Sequence, residues 1–283
     1  MKYVSFSVEG RSSFGLLVGN GIHDLGVRYG HLVQDLKEYL VLCAKGTAPR
    51  LPGVFEHDYD ESEISFEPVI RRPEKIVCVG LNYHDHRKET GRAESQYPSI
   101  FTRFPDNLIA HGQPILCPTV SSALDYEGEL AVVVGKPGYR IPKERTGDHI
   151  AGFTCFNDAT LRDWQRHTHQ FTPGKNFPAT APLGPYLVTP DEVDSFRDRR
   201  IETRLNGCLM QSAQLGDMIF SVEDVLSYVS SFTPLASGDV IAMGTPGGVG
   251  FKRTPPCFMK VGDVVDVFID GVGHLRNSIQ SEI

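Results

Sequence analysis

The stretch 125-DYEGELAVVV-134 decides how this chain is read. Its second half, 130–134, is an unbroken apolar run closed by Gly135, the pattern of a strand buried in a sheet. Its first half carries two acids, Glu127 and Glu129. Residues two apart on a strand share a face, so both carboxylates point to one side. Two neighbouring anions beside a buried strand are expensive unless something compensates them. A hard divalent cation does this most economically, since carboxylate oxygens suit Mg²⁺, Mn²⁺ or Ca²⁺. Asp158, at the end of the apolar run in 153-FTCFNDAT-160, is placed to add a third oxygen. A solvated acidic face is the bland alternative, and the apolar flank argues against it.

Outward from this stretch, residues 76–80, 115–117, 186–188, 201–205, 240–243 and 264–269 form short strand-like runs separated by Gly and Pro. In this part of the chain only a few stretches look helical, chiefly 159–170 and 221–232, the latter with Ser221 as N-cap and Asp224 at its third position. An α+β, β-rich class follows, with a mixed sheet rolled or closed rather than alternating βαβ units. Residues 1–72 read as a small α+β N-terminal domain with strand-like runs at 3–8 and 16–18 and a helix over 31–44. An acidic segment, 55-FEHDYDESEISFEP-68, and the linker 71-RRPEK-75 place the boundary near residue 72, leaving 73–283 as the larger domain.

The bulk numbers exclude several classes of function. A chain of 283 residues, 40% hydrophobic, can bury an ordinary core. A formal net charge of −7 with no basic cluster argues against nucleic acid as a partner. No apolar stretch reaches the roughly 20 residues of a membrane-spanning helix, and the opening MKYVSFSVEGRSSFG lacks a secretion signal's apolar run. The expectation is a cytoplasmic protein that acts on small molecules. The six cysteines are scattered singly, which reads as reduced thiols rather than disulfides or a zinc site.

Three further segments carry chemistry. In 80-GLNYHDHRKETG-91, His86 and Glu89 are three apart, so on a helix the carboxylate meets the imidazole, as in a general base; the competing reading is a solvated polar loop. Arg162 and Gln165 stand four and seven positions after Asp158, and a helix starting near Asp158 would line all three along a pocket for an anionic ligand. Arg166, His167 and His169 point elsewhere and read as surface residues. Lys175 is the only cation in the Pro/Gly-rich loop 173-PGKNFPATAPLGP-185, either a site residue or one reaching out to solvent. In 243-MGTPGGVG-250 the Thr245 hydroxyl and the backbone N–H groups are suited to bind a carboxylate, and a plain tight turn accounts for the glycines equally well.

Taken in order, 82-NYHDH-86 with Glu89, 125-DYEGELAVVVG-135, 157-NDATLRDWQ-165, 174-GKNF-177 and 244-GTPGG-248 resemble the fumarylacetoacetate hydrolase family over roughly residues 73 to 279. The resemblance implies that family's mixed β-sheet roll with few helices, a homodimer, and an Mg²⁺, Mn²⁺ or Ca²⁺ ion on Glu127, Glu129 and Asp158. It implies His86 and Glu89 as a catalytic dyad with Lys175, and Arg162, Gln165, Thr245 and Arg103 around an oxo-acid substrate. Two positions depart from the family's common pattern, Pro178 where Asp is frequent and Arg103 where Lys is, and both are expected to border the substrate.

The reaction expected from these residues is metal-dependent C–C hydrolysis of a 2,4-diketo acid to pyruvate and a second acid. His86, held by Glu89, would activate water, while Lys175 or Gln165 supports the developing oxyanion. Oxaloacetate decarboxylation and a keto–enol or 2-hydroxy-diene-dioate isomerisation are the alternatives on the same site. A metal-binding protein without catalysis is the distant one.

Overall fold

The computed structural model describes residues 1–53, 55–93 and 95–282. The strand foreseen at 125–134 is broken in two. Leu124–Asp125 pairs with Thr160–Leu161, whereas Gly128–Val134 pairs antiparallel with Ile150–Asn157. Glu127 lies in the gap between these ladders, where its N–H donates to Asn157 Oδ1 (3.0 Å) and its carbonyl accepts the N–H of Asp158 (2.8 Å). This crossing brings the third acid to the first two.

Gly128–Val134 is buried along its whole length. Leu130, Val132 and Val134 enter one core, and Ala131 and Val133, on the face of Glu129, enter another. Burial on both faces is why the segment reads as a continuous apolar run. It lies inside a twelve-stranded sheet whose path runs Tyr59–Asp60, Gly21–Asp24, Arg11–Val18, Lys2–Val8, Ala181–Val188, Ile150–Asn157, Gly128–Val134, Val240–Ala242, Ile76–Gly80 and Ser99–Arg103. Neighbours on this path are antiparallel except Val240–Ala242 against Ile76–Gly80, which is parallel. A second sheet of five strands runs Cys208–Gln214, Arg200–Leu205, Val264–Ile269, Gly273–Ser281 and Ile115–Cys117. Its Ile201, Val267 and Leu275 pack on Leu130, Val132 and Phe153 of the first.

The fold is therefore β-rich α+β with mixed sheets and few helices, as expected. The N-terminal segment joins the large sheet directly, Lys2 standing opposite Val188, and Tyr3, Phe14 and Tyr39 share a core with Cys78 and Val133. The longest helix described, Val222–Phe232, starts at Ser221 with the foreseen capping box: Ser221 Oγ accepts the Asp224 N–H, and Asp224 Oδ2 accepts the Ser221 N–H.

Two helix expectations need correction. The one at 31–44 begins later, as Leu36–Lys45, because Asp35 caps it by accepting the Glu38 N–H. The one at 159–170 is a single turn, Arg162–Gln165, because Thr160–Leu161 is drawn into a β-pair that buries Leu161. Asp158 thus follows directly on the strand Ile150–Asn157 and does not start a helix. Among the described residues no helix is long and apolar enough to cross a membrane.

Candidate active site

One end of the large sheet opens into a cleft of about 640 Å³. Its floor is acidic: the buried Glu127 and Glu129 line it, and one oxygen from each lies within 4.8 Å of one from the fully buried Asp158. Asp125, also buried, is spent on structure: it accepts Arg162 Nε (2.8 Å) and the N–H groups of Gly250 (2.8 Å) and Phe251 (3.0 Å). Three buried cations answer these four carboxylates. Arg162 pairs with Asp125 and, through Nη2, with Glu127 at 2.7 Å. Lys175 reaches Glu127 and Asp158, each at 2.5 Å. Arg103 holds the other oxygen of Asp158 at 2.5 Å.

This leaves Glu129 the least compensated. Among the described residues its hydrogen-bond partner is a single N–H, from Gly244 at 2.9 Å. Burial first, then the charges of Asp158 and Glu127, push its carboxyl well above the ordinary carboxylate range, against the pull of Lys175. Glu127 goes the other way: burial raises it, but Arg162, Lys175 and His86 together bring it down to about 2. A cluster of oxygen donors short of one positive charge at Glu129 fits a hard divalent cation, which would be held by Glu127, Glu129 and Asp158.

His86 lies on the cleft wall, on the helix His84–Thr90. Its Nδ1 is 2.7 Å from Glu89 Oε1, the i, i+3 contact foreseen in the sequence. Glu89 stands behind the imidazole, and its second oxygen accepts the Gly248 N–H at 3.0 Å. The 244–248 loop therefore does bind carboxylates through its backbone, and they are the protein's own Glu129 and Glu89. Gly248 has φ +102°, and a Cβ there would lie 2.2 Å from the Met210 carbonyl oxygen, so only glycine fits this approach. Asn82 ties the same loop down by donating to Met243 O (2.8 Å) and Phe220 O (3.0 Å).

The remaining expected residues separate into two groups. Arg162, Gln165, Lys175 and Thr245 line the cleft, with Gln165 Oε1 accepting Arg162 Nη1 at 3.1 Å. Lys175 does not reach out to solvent; it is buried on the acidic floor, 5.0 Å from the Phe101 ring centre. The Thr245 hydroxyl is engaged on both sides, donating to Gly128 O (2.9 Å) and accepting from Gln211 Nε2 (2.8 Å). Arg103 does not line the cleft. It sits behind Asp158, bound also to Ala159 O (3.1 Å) and Thr180 Oγ1 (2.6 Å), which corrects its placement beside substrate. Pro178 lies outside the cleft as well, on an apolar groove with Phe104 and Trp164.

Sequence reasoning missed two sets of residues. Gln211, from the second sheet, clamps the Gly128 N–H and the Thr245–Pro246 turn; nothing local marks a glutamine on a strand for this task. Phe251, Arg166, His167, His169 and Lys252 line the outer part of the cleft. Arg166, His167 and His169 are exposed, as read from the sequence, but they stand at the site's entrance.

The sequence model of the fumarylacetoacetate (FAA) hydrolase C-terminal family matches residues 75–280, and the chain belongs to that family. It is 44% identical over 225 residues to oxaloacetate tautomerase YisK of Bacillus subtilis (strain 168), covering 78% of this chain and 75% of that protein. It is 37% identical to the mitochondrial oxaloacetate tautomerase fahd2 of Xenopus laevis, over 99% of this chain and 90% of that one. Among solved structures, the fumarylacetoacetate hydrolase from psychrophilic Exiguobacterium antarcticum superposes with a TM-score of 0.86 at 33% identity, covering 100% of both chains.

Proposed function

We propose that the protein is a divalent-metal-dependent tautomerase that interconverts the keto and enol forms of a 2-oxo dicarboxylic acid, with oxaloacetate the first substrate to try. The observation that carries this reading is an imidazole, His86 backed by Glu89, on the wall of the cleft whose floor holds Glu127 and Glu129, grouped with Asp158. Moving a proton between a carbon and the neighbouring oxo oxygen needs a base at the carbon and positive charge at the oxygen. An Mg²⁺ or Mn²⁺ ion, with Ca²⁺ as a third choice, would polarise the oxo group when bound.

The side chains supply the rest. With Nδ1–H donated to Glu89, the neutral His86 ring presents a bare Nε2, which takes the proton from the substrate carbon. That proton returns to the oxygen of the same molecule, so no water is consumed. Burial alone would lower the pKa of Lys175, but Asp158 and Glu127 outweigh it and raise the pKa above the ordinary value. Lys175 therefore acts as a fixed cation beside the developing enolate oxygen. Arg162 and Gln165 orient the substrate's carboxylate.

The chain's residues alone favoured C–C hydrolysis, because the dyad suits activation of water. The names of the relatives at 44% and 37% identity weigh toward tautomerisation, which the same dyad serves without water. Hydrolysis remains the second reading, favoured by the name of the structural relative at 33% identity.

The test is the decay of enol absorbance from fresh oxaloacetate with Mg²⁺ or Mn²⁺ and an EDTA control, alongside CO₂ and product acids. Metal-dependent ketonisation without CO₂ is expected. Pyruvate with CO₂ would mean a decarboxylase, and a second acid from 2,4-diketo acids would mean a hydrolase; either without accelerated ketonisation ends the tautomerase reading. A homodimer, implied by the family, belongs to the same proposal and is checked by light scattering.

A further inference from the structure

The outer part of the cleft has a feature the proton transfer does not use. Phe251 is flanked by three cations: the Arg162 guanidinium 4.3 Å from the ring centre, Arg166 at 4.7 Å and the Lys252 ammonium at 5.4 Å. Arg162 is buried and spent on Asp125 and Glu127. Arg166 and Lys252 are exposed, line the cleft, and enter no ion pair among the described residues. Among the described residues, the carboxylates lining the cleft are Glu127 and Glu129, both on the floor. The ring is anchored to that floor, since the Phe251 N–H donates to the same Asp125 that holds Arg162.

We propose that Arg166 and Lys252, carried on the face of Phe251, form a subsite for a second, distal carboxylate, which makes the enzyme selective for dicarboxylic over monocarboxylic 2-oxo acids. The proposal rests on the oxo-acid reading of the floor. A bidentate guanidinium and a point-charge ammonium on one aromatic platform recognise a carboxylate by charge and by hydrogen bonding, and the ring keeps both from collapsing into solvent. A cleft of about 640 Å³ also has more room than a four-carbon acid fills.

The test is calorimetric binding to the Mn²⁺-loaded protein. The probes are oxalate, which has the chelating end alone, and two matched pairs: 2-oxoglutarate against 2-oxopentanoate, and 2-oxoadipate against 2-oxohexanoate. The wild type should prefer the diacid by about tenfold in at least one pair, and the double variant Arg166→Gln with Lys252→Gln should abolish that preference while oxalate binding stays within about twofold. Phe251→Leu, which keeps both charges, should lose part of the preference. Equal binding within both pairs, or an equal weakening of oxalate and diacid in the double variant, would overturn the subsite. If oxalate itself fails to bind in a metal-dependent way, the oxo-acid reading falls, and the subsite with it. Enol turnover with a diacid preference absent removes the subsite alone.

Discussion

At the floor of the cleft, Arg103, Arg162 and Lys175 are almost wholly buried, and each meets a carboxylate at 2.5 to 2.8 Å. At its mouth, Arg166 and Lys252 are exposed and stand over Phe251, 4.7 and 5.4 Å from its ring centre. Both regions carry cations, but they are built under opposite constraints. On the floor each cation is matched by a carboxylate, because an uncompensated ion in a dry interior costs several kcal/mol. At the mouth water screens each charge, so a cation can stay available for a ligand at little cost in stability. Floor substitutions should therefore change folding, metal binding and chemistry together, whereas mouth substitutions should change ligand choice alone.

The sharpest way to break this contrast is Glu127→Gln. It removes a metal-donor oxygen and the carboxylate shared by Arg162 and Lys175, so metal affinity and turnover should fall together, turnover by about 10³-fold or more. Isothermal titration with Mn²⁺ alongside the ketonisation assay checks this; retention of both would refute the donor assignment. Next is His86→Ala, which should cut turnover by about 10²- to 10⁴-fold while leaving Mn²⁺ affinity nearly intact. A variant with full activity would remove His86 from the proton path.

Arg103→Leu separates structure from chemistry on the floor. It leaves one oxygen of the fully buried Asp158 without its cation, so the metal-free protein should lose about 3–5 kcal/mol of stability in urea denaturation. Added Mn²⁺ should recover part of that loss by taking over the charge on Asp158. No loss in the absence of metal would mean the pair is dispensable. The smallest effect belongs to the mouth, where Arg166→Gln should shift unfolding by no more than about 0.5 kcal/mol. A larger shift would show the mouth to be structural after all and dissolve the contrast.

Legibility followed sequence separation. The His86–Glu89 contact spans one helical turn, and a three-residue spacing was enough to read it. Glu127 and Glu129 were legible as neighbours on a buried stretch, and Asp158 as the acid closing another apolar run. Arg103 was misplaced because its partner Asp158 is 55 positions away, and no local pattern tells a guanidinium beside substrate from one behind a carboxylate. The backbone N–H groups of Gly244 and Gly248 reach Glu129 and Glu89 across 115 and 159 positions, so the loop was legible as an anion binder but not as the binder of these two acids. Arg166 and Lys252 meet on one ring although they stand 86 positions apart, and each alone reads as an ordinary surface charge.

By itself the sequence determined the β-rich class, the acidic trio and the His86–Glu89 contact, because apolar periodicity and short spacings encode strands, helices and contacts along them. Tertiary structure alone decided which cation answers which carboxylate, that Lys175 turns inward, that Thr245 is spent on Gly128 and Gln211, and that Arg166 and Lys252 meet at the cleft mouth. Those outcomes depend on long-range pairing between strands and loops, where burial forces each charge and each N–H to find whichever partner the fold brings near.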